Sequence, residues 1–319
     1  MRIVSRGMAI TIAALSLAGS ASAAPVETVL YSFANGADGV PLAGLIADNR
    51  GALYGTTVND GISGIGTVFK LTPPPEGQTQ WTETVLYRFK GGSDGFDPEA
   101  ALIADKSGAL YGTTLHGGNT LNGVTIGTVF KLTPPAKGQT AWTETVLYSF
   151  CSLSNCSDGA EPLAGLIADN SGALYGTTSE GGSGCPQSSF GCGTVFKLTP
   201  PAKGQTAWTE TVLYIFCSLL NCSDGATPMA GLIADNSGAL YGTTRLGGTG
   251  SDDGTVFKLI PPAKGHTAWT EIVLHSFTGS PDGRNTVAGL IADNWGALYG
   301  TTVLGGASDY GTVFKLTLR

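Results

Sequence analysis

Apolar and polar positions alternate with a period of two through much of the chain. In Glu27 to Phe33 (ETVLYSF), Val29, Tyr31 and Phe33 alternate with Thr28, Leu30 and Ser32, the pattern of a β-strand. A loop carrying Asp38-Gly39 follows. Next come an apolar run from Gly44 to Ala47, a tight Asp48 to Gly51 turn and a second run from Ala52 to Thr57, which predict a hairpin. GTVFKLT from Gly66 to Thr72 predicts a third strand, and WTETVLYRF from Trp81 to Phe89 repeats the opening one.

The order then recurs. The hairpin sequence returns as GLIADNRGALYGTT from Gly44, ALIADKSGALYGTT from Ala101, and GLIADN-x-GALYGTT from Gly165, Gly231 and Gly289. One unit therefore has four strands, A (GLIAD), B (ALYGTT), C (GTVFKLT) and D (WTETVLYSF). Four-stranded meanders repeated in series predict a β-propeller. A, B and C occur five times, whereas the first D precedes the first A and no D follows the last C. The expected fold is all-β, a five-bladed propeller of four-stranded blades whose last blade, Val287 to Leu318, is closed by the N-terminal strand. Tyr54, Tyr111, Tyr175, Tyr241 and Tyr299 are 57, 64, 66 and 58 residues apart, long for a blade. A parallel β-helix is the competing architecture, but its coils are usually shorter.

Variation between units is one-sided. A–B turns and C–D connections are nearly fixed, while D–A and B–C loops differ in length and content. In a meander these two sets lie at opposite ends of the strands, so one face collects the variation, and function usually lives on such loops. Cys151/Cys156 and Cys217/Cys222 fall in D–A loops and Cys185/Cys192 in a B–C loop. An even number of closely paired cysteines in an exported chain predicts disulfides rather than zinc, whose ligands prefer C-x2-C spacing. Loops this short contribute only roughly 2 kcal/mol each, so their purpose is loop shape.

Export is read from the start of the chain. Arg2 and Arg6, an apolar run from Met8 to Leu17, and Ala21-Ser22-Ala23 form a secretory signal over residues 1–23, leaving a single domain over 24–319. No later segment is apolar enough to span a bilayer. Without the leader, 15 basic face 24 acidic side chains, taking the formal charge from -7 to -9. Nucleic acid is a poor partner, because phosphate contacts need clustered Lys and Arg. The expected product is a monomer in the periplasm or outside the cell, with no cofactor and no metal.

The recurring LYGTT, Gly-Gly and GTVFKL elements resemble the Gloeobacter/Verrucomicrobia-type tandem repeat of bacterial exported proteins, the choice-of-anchor group, over essentially the whole mature chain. Members often carry a C-terminal surface-sorting segment; the residues up to Arg319 read as strand instead, so surface anchoring is not expected. The resemblance implies no activity and transfers no site.

Candidate chemistry must break the repeat, because catalysis needs asymmetric roles. The recurring Asp48, Asp105, Asp169, Asp235 and Asp293 read as turn caps, and the Asp-Gly pairs at Asp38, Asp94, Asp158, Asp224 and Asp282 complete no calcium loop. Recurring strand-C lysines and strand-D glutamates predict cross-strand pairs such as Lys70–Glu83 and, through closure, Lys315–Glu27. After strand B the equivalent positions hold Asn59, His116, Glu180, Leu246 and Leu304; before strand A, Glu99 and Glu161 occur once each. Glu161 and Glu180 are the catalytic candidates, a carboxylate pair for glycoside hydrolysis at roughly 5–9.5 Å. Asn59, Phe96, His116, Glu180, Phe190 and Tyr310 are the binding candidates, the aromatics as platforms for sugar rings. No G-x-S-x-G elbow, H-E-x-x-H or Walker loop appears in a strand–helix context, the Gly-Gly elements lying in β loops. The leading expectation is a non-catalytic module that binds a glycan or cell-surface protein; the alternatives are a polysaccharide hydrolase and a structural envelope protein.

Overall fold

The computed structural model describes residues 27–34, 38–59, 64–121, 123–183, 185, 191–250 and 252–318. The leader 1–23 and Phe190 lie outside them. By its contacts the chain divides into Met1–Leu30 and Tyr31–Arg319, and every sheet belongs to the second unit.

The first sheet is β1 (Ile46–Ala47), β2 (Leu53–Thr57), β3 (Thr67–Thr72) and β4 (Thr82–Arg88), antiparallel and in chain order. The second is β5 (Ile103–Ala104), β6 (Leu110–Thr114), β9 (Thr128–Thr133) and β10 (Thr143–Ser149), its B–C loop holding a ribbon of β7 (Thr120–Leu121) and β8 (Val124–Thr125). The third and fourth are β11 (Ile167–Ala168), β12 (Leu174–Thr178), β13 (Thr194–Thr199), β14 (Thr209–Ile215), then β15 (Ile233–Ala234), β16 (Leu240–Thr244), β17 (Thr255–Ile260), β18 (Thr270–Ser276). After a ribbon strand β19 (Gly283–Arg284), the last sheet is β20 (Ile291–Ala292), β21 (Leu298–Thr302) and β23 (Thr312–Leu316), with β22 (Leu304–Gly305) pairing β19. Among the described residues helix is confined to three short 3-10 turns, and none is long and apolar enough to cross a membrane.

The four-strand meander is thus present in four units, and the fifth departs from expectation. Among the described residues its sheet has three strands, and Glu27 to Phe33 forms no strand. Strand A is also shorter than GLIAD suggests: only Ile-Ala pairs with strand B.

The A–B turn follows from one side chain. The Asp105 Oδ1 accepts from the Ser107 and Ala109 amides (2.8 and 3.1 Å), and its Oδ2 from the Tyr111 hydroxyl (2.9 Å). Burial pushes this carboxyl up, but those donors outweigh it and hold it below the usual range.

Strand registers correct the ion-pair expectation. Lys70 stands opposite Thr84, while Glu83 stands opposite Leu71. One residue of offset puts the two charges on opposite faces of the sheet. Each strand-C lysine instead lies over the strand-B tyrosine beside it, Lys70 over Tyr54 at 5.4 Å and Lys315 over Tyr299 at 5.3 Å.

The hydrophobic cores lie at the seams between consecutive sheets. Val68 and Phe89 of the first unit pack with Leu102, Leu110, Phe130 and Leu132 of the second, and the next three seams repeat the arrangement. The phenylalanine ending each D segment meets the strand-C phenylalanine of the next unit edge-on, with centroids 5.0–5.2 Å apart in all five instances, from Phe33–Phe69 to Phe277–Phe314. A threonine locks each of the four seams: Thr56, Thr113, Thr177 and Thr243 donate to the carbonyls of Ala100, Ala164, Ala230 and Ala288.

Candidate functional site

The variable loops are held by the same short pairing in successive units. The residue after each Asp-Gly element exchanges backbone hydrogen bonds with the second residue after strand B: Phe96 with His116, Ala160 with Glu180, Ala226 with Leu246. The structure therefore brings together, pair by pair, positions far apart in sequence.

In the second unit Phe96 stacks on His116, centroids 5.0 Å apart and planes 18° from parallel, and His116 Nδ1 lies 3.1 Å from Asp97 Oδ2. Both rings are half-buried and serve each other, which leaves less aromatic face for a ligand than separate platforms would. Beside them burial, then the Asp97 charge, raises the Glu99 carboxyl, while His116 opposes.

In the third unit the Ala160–Glu180 pairing brings Glu180 beside the segment that carries Glu161. Ser179 donates its amide and hydroxyl to the Glu161 carbonyl (3.0 and 3.1 Å), and burial followed by the Glu161 charge raises the Glu180 carboxyl above its ordinary range. Glu161 has φ 57°, as do Asp97, Thr227 and Asn285 within a few degrees at the matching loop positions. The Glu161 backbone is thus part of the repeat, and only its side chain is particular to this unit.

Asn59 is exposed with φ 53°, at the rim of the first B–C loop. Tyr310 is 92% exposed in the last B–C loop, far from burial by any neighbour. Neither is gathered with the other candidates by a contact among the described residues.

All three cysteine pairs are disulfides: Cys151–Cys156, Cys185–Cys192 and Cys217–Cys222. The sulfurs of Cys185, Cys192 and Cys217 converge within 4.8 Å, so a B–C loop and the following D–A loop are stapled side by side. Next to this staple the fourth unit holds a hollow of about 490 Å³, lined by Leu220, Asn221, Ser223, Gly248, Thr249, Gly250 and Asp252. Its lining offers an amide, two hydroxyls and a carboxylate on glycine-rich loops. Sequence reasoning missed it because the hollow forms only where the Leu220–Ser223 loop, a near copy of residues 154–157, meets the Gly248–Asp252 loop, which is particular to the fourth unit.

The constant face carries grooves as well. The A–B hairpins of neighbouring units enclose hollows of about 480, 350 and 450 Å³, the first between Asp105 with Tyr111 and Asp169 with Asn170. These are the spaces left between identical turns. They recur with the repeat, and their carboxylates are already bonded to their own tyrosines.

A further missed feature is acidic. The Asp158 carboxylate is fully buried and accepts from the Tyr148 hydroxyl (2.7 Å) and the Ser152 amide (2.8 Å). Glu210 of the next unit faces it, and burial, then the Asp158 charge, pushes Glu210 up to about 8. The Asp224 charge likewise adds to burial in pushing Glu271 up to about 7. Glu144 is raised by burial and Asp94. One buried oxygen of each glutamate has no partner.

Residues 16–218 and 183–319 match the Gloeobacter/Verrucomicrobia repeat. The chain belongs to that repeat family. Its LYGTT and GTVFKL elements are strands B and C, adjacent in every sheet, which is why they travel together. No curated protein matches the chain. Among solved structures it is similar to PorZ, a bacterial surface component of the type-IX secretion system of Porphyromonas gingivalis, at 14% identity and TM-score 0.49, over 91% of this chain and 34% of that one. It is also similar to a glucose dehydrogenase, at 11% identity and TM-score 0.42, over 88% of this chain and 97% of that one. The chain thus spans about a third of the length of the first.

Proposed function

We propose that this member of the repeat family is an exported, non-catalytic binding module. Its five sheets act as blades of a propeller-type scaffold, and its variable, disulfide-stapled loop face takes a glycan. The observation that carries the reading is the 490 Å³ hollow beside the Cys217–Cys222 staple. Glycine-rich walls with an amide, hydroxyls and one carboxylate suit a polyhydroxylated ligand, which needs many short hydrogen bonds and little apolar area. Three disulfides fit an oxidising compartment outside the cytoplasm.

A glycan array with the mature, oxidised protein tests the reading. Binding lost in Asn221→Gly, which keeps the left-handed backbone (φ 56°) while removing the amide, supports it. Absence of binding to any glycan overturns it in favour of a protein partner or a structural role. One observation favours a second reading, the raised Glu180 carboxyl beside Glu161. Polysaccharide hydrolysis abolished in Glu161→Gln and Glu180→Gln would make that pair catalytic.

A further inference from the structure

The four seams define what one unit requires of the next, and the first and last units leave halves of that contact unmet. On the leading side of each later unit, Leu102, Leu166, Leu232 and Leu290 are 1–3% exposed against the unit before; the equivalent Leu45 is 51% exposed. On the trailing side Val68, Val129, Val195 and Val256 are 0% exposed; the equivalent Val313 is 82% exposed. Thr301, whose counterparts each donate to an alanine carbonyl across a seam, is exposed, and the alanine that matches those acceptors in the first unit is Ala43. Among the described residues β23 has no outer strand of the kind that β4, β10, β14 and β18 supply elsewhere. Meanwhile the first unit carries the end of such a strand: Phe33 is set against Phe69 and the Tyr31 hydroxyl on Asp38 (2.9 Å), as Phe89 is against Phe130 and Tyr87 on Asp94.

We propose that copies of this chain associate head to tail, the Leu45 face and the strand-D segment of one copy covering Val313, Thr301 and the free edge of β23 in the next. The occupant is a second copy because the interface is one the chain already builds four times with its own sequence, and both halves are formed yet unmated in the single chain. Such a contact is heterologous, so it propagates unless rotation closes it into a ring. It also removes an exposed strand edge, a standing aggregation hazard. The register follows from β17 and β18, where Lys258 faces Ile272 and Leu259 faces Glu271. Transposed, Lys315 of one copy faces Thr28 of the next, and Leu316 faces Glu27. This association stands against the monomer expected from sequence.

Sedimentation velocity on the mature, oxidised protein reads the association directly. Species of two or more chains that grow with concentration are expected, and their loss in Val313→Glu and in Leu45→Glu, with the circular dichroism and melting of the remaining monomer unchanged. Both side chains are already exposed in the single chain, so folding is not at stake. Every native cysteine is paired, so new thiols report cleanly. Oxidising a mixture of Thr28→Cys and Lys315→Cys proteins should yield a disulfide-linked two-chain species that neither variant forms alone. A monomer at all concentrations, or a doubly substituted chain that cross-links only within itself at high dilution, would overturn the proposal, the latter showing that the chain closes on its own strand.

Discussion

At the residue scale the repeat is maintained by a few side chains that each satisfy several backbone groups. Asp105→Ala removes acceptors for two amides, one serine hydroxyl and Tyr111, and should cost roughly 1–2 kcal/mol, read as a lower urea midpoint. Asp105→Asn keeps an acceptor for the turn and should cost less than half of that. Gly176 is constrained differently. A Cβ there would meet Phe196 Cζ at 2.7 Å and Leu166 Cδ2 at 3.0 Å, so Gly176→Ala should destabilise by about 1–3 kcal/mol through overpacking. The LYGTT motif was legible as a strand; that its glycine exists to admit the phenylalanine of GTVFKL was not, because only the Gly176–Phe196 register reveals it.

At the element scale the seams set a pH dependence. Glu210 and Glu271 have folded pKa values of about 8 and about 7, above their unfolded values. The folded state therefore binds more protons between pH 4.5 and 8, and stability falls as pH rises through that window. The turn aspartates act in the opposite sense: Asp105 and Asp169 are held low, so their contribution is complete above their unfolded pKa and is lost in stronger acid. A melting temperature that peaks on the acidic side of neutrality and declines towards pH 9 is expected, each kcal/mol lost lowering it by about 2–4 °C. Glu210→Gln should flatten that decline in differential scanning calorimetry; an unchanged slope would place the cause elsewhere. Sequence alone paired these glutamates with lysines, since both recur once per unit and only the register shows which face each occupies.

At the scale of the whole molecule, stability resides in the seam cores and not in the staples. Each disulfide closes a loop of a few residues, worth roughly 2 kcal/mol, against four cores lined by fully buried phenylalanines. Reduction with a dithiol should leave the far-ultraviolet dichroism of the sheets in place while the D–A and B–C loops become the first sites of proteolysis. Loss of sheet signal on reduction would mean the staples do more than shape loops. Ligand binding should fall with reduction, because the hollow beside Cys217–Cys222 takes its form from that staple.

What the sequence by itself determined is local and periodic: strand identity, the A–B turn, the order of four strands, the family and the pairing of cysteines close in the chain. Period-two alternation and turn chemistry act over a few residues, so five copies of one string repeat the same answer. Tertiary structure alone decided which charges face each other, that the Phe96 ring stacks on His116, that the Glu161 charge acts on Glu180, and where the loops leave a hollow. It also decided that the fifth sheet has three strands among the described residues. Those outcomes depend on register and on contacts between units, which no single repeat encodes, because a shift of one residue turns a side chain from one face of a sheet to the other.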